Sequence, residues 1–172
     1  MMRTAILCIS LLLTAGLIAC SEDKGESGIR NYTGSILPDS EVAEHQKLVS
    51  SNIYHAKEVT FASDAEDVRL AGTVTWPRGV PHFPAVILIQ GGGAHDRNYS
   101  IGRHQPYQVI ADYLTRHGIA VLRFDERGVG ESTGNPREST CENYAEDVRA
   151  GIRFLEIFGG FTPTGIGLLG HS

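Results

Sequence analysis

Pro84-Ala85-Val86-Ile87-Leu88-Ile89 is a continuous apolar run that ends in Gln90-Gly91, long enough for a strand buried on both faces and too short for a helix. It predicts the first parallel strand of a layered fold. Downstream, Tyr107, Ile110, Ala111 and Leu114 recur at helical spacing, with Pro106 suited to the first turn and Gly118 to the C-terminal cap. Residues 119–124 return to a strand pattern. Ser139 and Glu142 stand at capping-box spacing ahead of Ala145, Val148, Ile152 and Leu155, which predicts a second amphipathic helix. Residues 166–169 form another short apolar run that reaches Gly170-His171-Ser172. Strand, helix, strand, helix, strand is the order of an α/β fold with a parallel sheet. Upstream, Val59-Thr60-Phe61 and residues 68–76 are rich in β-branched and aromatic side chains and flank the acidic stretch 64–67. They predict an antiparallel pair joined by a polar turn.

The chain has 172 residues, 41% hydrophobic and 20% charged, which is one domain or part of one with an ordinary globular composition. Twenty glycines point to tight turns and close backbone approaches. The net charge of −5 offers no basic footprint for nucleic acid.

Residues 1–19 carry Arg3 as their only charge, and the weakly polar to apolar run 4–19 is 16 residues long. That is short of the roughly 20 a spanning helix needs, so it reads as an export signal. Its end, Leu17-Ile18-Ala19-Cys20, resembles the bacterial lipobox, in which the cysteine is acylated and becomes the new first residue. The resemblance implies lipidation at Cys20, attachment to a cell membrane or outer membrane through the lipid, and a domain in the periplasm or outside the cell. Cleavage would remove Arg3 alone from the 15 basic residues, leaving 14 against 20 acidic, or −6. Cys8 would leave with the signal and Cys141 would have no partner for a bridge. Residues 20–56 read as a polar linker in which 41–49 has the makings of a short helix, and residues 57–172 as the globular part.

Gly170-His171-Ser172 by itself is weak, because Gly25-Glu26-Ser27 and Gly130-Glu131-Ser132 share its form. Only Ser172 follows a buried-type strand in a βα series, where a sharp turn would lift its hydroxyl above the sheet. Position alone leaves it between a nucleophile and a Gly-Ser turn. A serine also needs a histidine to take its proton and a carboxylate to orient that histidine. Gly91-Gly92-Gly93, directly after the first parallel strand, would let a backbone N–H approach a developing oxyanion, or would simply form a flexible turn.

Gln90-Gly91-Gly92-Gly93-Ala94-His95-Asp96-Arg97, Ile110-Ala111-Asp112-Tyr113-Leu114 and Gly118-Ile119-Ala120-Val121-Leu122-Arg123-Phe124-Asp125-Glu126-Arg127-Gly128-Val129-Gly130-Glu131-Ser132 resemble the serine α/β-hydrolase superfamily. The nearest groups are the S33 aminopeptidase-like enzymes and the S9 and dienelactone-hydrolase-like esterases. The resemblance covers about 57–172 and implies the N-terminal part of an α/β-hydrolase fold: an antiparallel strand pair, then a βαβαβ parallel sheet. It implies Ser172 as nucleophile, the backbone N–H of Gly92 as an oxyanion donor, and Asp125 with Arg127 as a charge pair fixing the loop after their strand. The expected activity is hydrolysis of a carboxylic ester, thioester or small amide through an acyl-enzyme, on a small-molecule acyl substrate and without cofactor or metal. The alternative is a non-catalytic, lipid-anchored binding protein on the same scaffold. Complete members continue with x-Gly, further strands, an acid and a histidine, so the resemblance implies an incomplete fold here, inactive by itself and with the strand at 166–169 left as a half-covered edge.

Other motifs are missing their parts. Gly128-Val129-Gly130 has no third glycine and no helix opening there, and no Walker glycine-lysine occurs. His95, Asp96 and His104 match no usual metal spacing. His95, His104 and His171 read as loop or surface residues, and stretch 64–67 as a solvated turn.

Overall fold

The computed structural model describes residues 53–63, 67–79, 81–91 and 93–171. The expected signal, Cys20, the linker up to residue 52, Gly92 and Ser172 lie outside them. Seven elements follow in chain order: β1 Tyr54–Ala62, β2 Arg69–Pro77, β3 His82–Ile89, α1 Pro106–Arg116, β4 Ala120–Phe124, α2 Cys141–Ile157 and β5 Thr162–Gly170. The sheet order is β1-β2-β4-β3-β5. β1 pairs antiparallel with β2, and β2 antiparallel with β4. β4 and β5 flank β3 in parallel. The apolar run that predicts the first parallel strand lies in the middle of the parallel part, and the Val59 and Trp76 segments form the expected antiparallel pair. β1 begins at Tyr54, ahead of Lys57.

β4 shows how the layers arise. All five of its residues are buried, and the two-residue period of a strand sends them to opposite faces. Ala120, Leu122 and Phe124 join a cluster with Val59, Phe61, Leu70, Val74 and Ile87 under Ala150 and Leu155 of α2. Val121 faces the other way, with Leu88, and packs on Tyr107 and Ala111 of α1. Gly151 lets α2 settle on this sheet: a methyl group there would already touch Leu122 and Ile87.

Three further boundaries differ from expectation. The second helix is capped by Thr140, not Ser139: its Oγ1 accepts from the Asn143 N–H at 3.4 Å, and Asn143 Oδ1 accepts from the Thr140 N–H at 2.9 Å. The short Asn143 amide closes the capping box in place of Glu142, which pairs with Arg149 at 2.7 Å. Ser139 donates to the Asn135 carbonyl at 2.8 Å. β3 starts at His82, before Pro84, where the register with β5 shifts; a residue without an N–H is tolerated at such an irregularity. β5 starts at Thr162, pairs with β3 along its length and leaves Leu168 38% exposed. It is a half-covered edge among the described residues. The α1 helix matches its signals, with Pro106 in the first turn and Gly118 just past the end at φ +87°.

Candidate active site

Gly170 of β5 is the register partner of Ile89 of β3. The parallel pairing thus brings the chain leading into Gly91 and the chain leading into Ser172 to one edge of the sheet. Ile89 is an anchor for both: its carbonyl accepts the His171 N–H at 3.2 Å and the Tyr107 hydroxyl at 2.5 Å. Burial pushes the Tyr107 phenol up to about 12, so it stays a neutral donor. Gly93 takes φ +127°, and a Cβ there would lie 2.7 Å from the His95 ring, so only glycine fits.

The structure brings His95 and His171 to the same tyrosine. His95 stacks on Tyr99 at 4.1 Å, Tyr99 on Tyr107 at 5.2 Å, and His171 meets Tyr99 edge-on at 5.4 Å. Tyr99 holds φ +54°, a conformation that costs a bulky residue about 1 kcal/mol or more, and the stacked rings on either side help keep it there. The backbone of His104 forms a bridge with Ile101.

Two consecutive carboxylates past β4 hold the glycine-rich loop. Glu126 Oε2 accepts the His95 N–H at 2.8 Å while the Glu126 N–H donates to the His95 carbonyl at 3.2 Å. Asp125 Oδ1 accepts the Arg97 N–H at 2.7 Å. Burial raises the Glu126 carboxyl, against the bond from His95. Burial works the same way on Asp125, but bonds from Arg97 and the Glu131 N–H outweigh it and hold that carboxyl below its ordinary value.

Asp125 and Arg127 are not a pair with each other. Asp125 binds Arg97, through Nε at 3.1 Å and an Nη at 2.7 Å. Arg127 instead makes a two-pronged bond to Asp147 of α2, at 2.7 and 2.6 Å, with both side chains buried. Neighbours in sequence on a turn point to different sides, so each fixes a different element: Asp125 the loop after β3, Arg127 the second helix. The glycines of the motif make room for this. A Cβ on Gly130 would meet Asp125 Oδ2 at 2.4 Å and one on Gly128 would meet Pro136 at 2.4 Å. Ser132 then stitches the turn to β2, donating to the Asp125 carbonyl at 2.8 Å and accepting the Ala71 N–H at 2.9 Å. The most specific motif of the sequence is an architectural clamp.

Arg97, Glu126 and Arg123 are the residues that sequence reasoning passed over. Arg97 reaches Glu58, Asp125 and Glu131 together, and its bond to Asp125, ahead of the others, raises its affinity for the proton. Arg123 is 7% exposed on the α1 side of β4, and burial lowers its guanidinium from the ordinary value. It lines a cavity of about 410 Å³ with Tyr54, Glu58, Thr75, Asn98 and Gln108. One charged residue inside an apolar strand was the available signal.

No protein-family model matches the chain. Over 87 residues it is 32% identical to Esterase EstD of Thermotoga maritima, covering 51% of this chain and 21% of that one. Over 174 residues it is 26% identical to the uncharacterized protein PA2218 of Pseudomonas aeruginosa, covering 98% of this chain and 44% of that one. Among solved structures, the Pyrococcus furiosus esterase Pf2001 superposes with a TM-score of 0.53 at 26% identity, over 68% of this chain and 42% of that one. The α/β hydrolase GrgF from Penicillium sp. sh18 does so at 0.54 and 25%, over 67% and 37%. The chain thus spans less than half the length of each of these proteins. The five-stranded mixed sheet with helices on both faces thus has the α/β-hydrolase fold, and the chain is similar in sequence and structure to esterases and α/β hydrolases.

Proposed function

We propose that the protein carrying this chain hydrolyses carboxylic esters or thioesters, with small amides as a secondary class, through an acyl-enzyme on Ser172. The observation that supports the reading is the pairing of Gly170 with Ile89, which aligns the approaches to Ser172 and to the glycine loop on adjacent parallel strands. Crevices beyond the carboxyl ends of such strands are where open α/β sheets bind ligands. In the reaction the Ser172 oxygen bonds to the acyl carbon as its proton passes to a histidine. The carbonyl oxygen takes up negative charge, which the Gly92 N–H stabilises; collapse expels the alcohol or thiol, and water then releases the acid. Glu126 and Asp125 serve as positioning residues, since the N–H groups they accept belong to His95 and Arg97, just past the glycines. His95 is committed against Tyr99 and over Gly93, so we do not assign it as the base.

Fluorophosphonate labelling and p-nitrophenyl acetate hydrolysis by the intact protein test this. Both should disappear in Ser172→Ala. Labelling that persists in the variant overturns the assignment, and no labelling of the wild type favours the binding-protein alternative. We also propose that Cys20 carries lipid and tethers the domain to a membrane outside the cytoplasm; incorporation of a fatty-acid probe should vanish in Cys20→Ser, and unchanged incorporation would refute it.

A further inference from the structure

Arg123 stands out on the α1 side of the sheet. An arginine that is 7% exposed ordinarily sits against a carboxylate, yet among the described residues Arg123 forms no ion pair. Its acceptor is the neutral Asn98 Oδ1, and its Nε is buried with no acceptor. Such a group costs stability unless something meets it. It lines a cavity of about 410 Å³, within the range of small-molecule sites.

The other charges around the cavity are already engaged. Glu58 accepts from Thr73 at 2.9 Å and from Arg97. Asp125 takes Arg97 and two N–H groups. Asp96 Oδ1 accepts the Asn98 N–H at 2.9 Å and the Ser100 N–H at 3.1 Å. Arg97 is shared among three carboxylates. Arg123 is the lining cation without an ion pair, and Glu58 and Asp96 act on it only from a distance.

We propose that this cavity is a second binding site, which takes a small monocarboxylate on the Arg123 guanidinium. A planar carboxylate supplies two acceptors in the spacing that a guanidinium fork presents. Glu58, Asp96 and Asp125 line the same cavity, so a dianion such as phosphate is repelled about twice as strongly as a monoanion. A neutral ester leaves the cation uncompensated. The site lies over β1, β2 and β4, not over β3 and β5 where Ser172 is expected, and it does not depend on the hydrolase reading.

Calorimetric and NMR titration of the intact protein with benzoate, set against methyl benzoate, phosphate and chloride, tests the site. Benzoate binds and raises the melting temperature; the other three do neither up to about 20 mM. Arg123→Gln weakens benzoate binding at least about ten-fold. Gln108→Trp, at the cavity wall on α1, does the same by filling the space and keeps the readout available should the buried arginine be needed for folding. The proposal fails if benzoate does not bind, if either folded variant binds it as the wild type does, or if phosphate or chloride binds equally, which would mean an adventitious ion only.

Discussion

The two faces of the sheet are built from different physics. Under α2 lies an apolar cluster in which Phe61 stacks on Phe154 at 5.0 Å and meets Phe124 edge-on at 5.6 Å, with Trp76, Phe158 and Phe161 continuing it. Under α1 the apolar patch is small, and beyond it come Arg123, a Thr75–Thr115 hydroxyl pair at 2.7 Å and the Arg97 carboxylate network. One strand feeds both sides: Leu122 and Phe124 of β4 point into the first, Arg123 into the second. Area burial fixes the helix on one face, whereas hydrogen bonds and charge fix the loops on the other. The first should respond to lost volume and the second to pH and salt.

The contrast breaks most severely where charge intrudes on the apolar side. Asp147 lies in the buried stripe of α2 with Ala150, Gly151 and Leu155, and Asp147→Ala would strand Arg127. Breaking a buried pair costs about 3 to 5 kcal/mol; urea unfolding should show it, and a loss under 1 kcal/mol would mean that water replaces the carboxylate. Leu122→Ala, in the same face, should cost about 2 to 5 kcal/mol by its cavity, with the loss constant between pH 4 and 8.

On the α1 side the pattern should invert. Asp125→Asn should cost about 1.5 to 3 kcal/mol at neutral pH, the range for hydrogen bonds to charged groups. Because the Asp125 carboxyl is held below its ordinary 3.8, its contribution is present above that value and lost as pH falls through the lower folded one. The deficit of the variant should therefore shrink as pH falls below 3.8, and a difference that stays constant with pH would contradict the assignment.

Glu126 sharpens the comparison with the opposite sign. Its carboxyl is raised above 4.5 by burial, so its contribution to stability is present below that value and lost as pH rises through the folded value. Glu126→Gln keeps an acceptor for the His95 N–H and should change stability by less than about 1 kcal/mol while flattening that slope. Glu126→Ala orphans the N–H and should cost about 1 to 3 kcal/mol. In the intact protein it should also lower kcat more than it raises KM, since it releases the glycine loop. Equal behaviour of the two variants would remove Glu126 from the loop's support.

The strands, both helices, the parallel order and the layer arrangement were legible in the sequence, because buried strands and amphipathic helices write their burial into residues a few positions apart. Residues 84–89 announce a strand covered on both faces, and Tyr107 to Leu114 repeat at helical steps, with no need to know what covers them. The partners of charged groups were not legible. Asp125 and Arg127 look like a pair in the chain, but Asp125 meets Arg97 across 28 positions and Arg127 meets Asp147 across 20. A guanidinium's reach is set by which loops the sheet order brings alongside it, so pairing, the strand register that aligns Ile89 with Gly170, and the unmatched Arg123 beside its cavity were decided by tertiary structure alone.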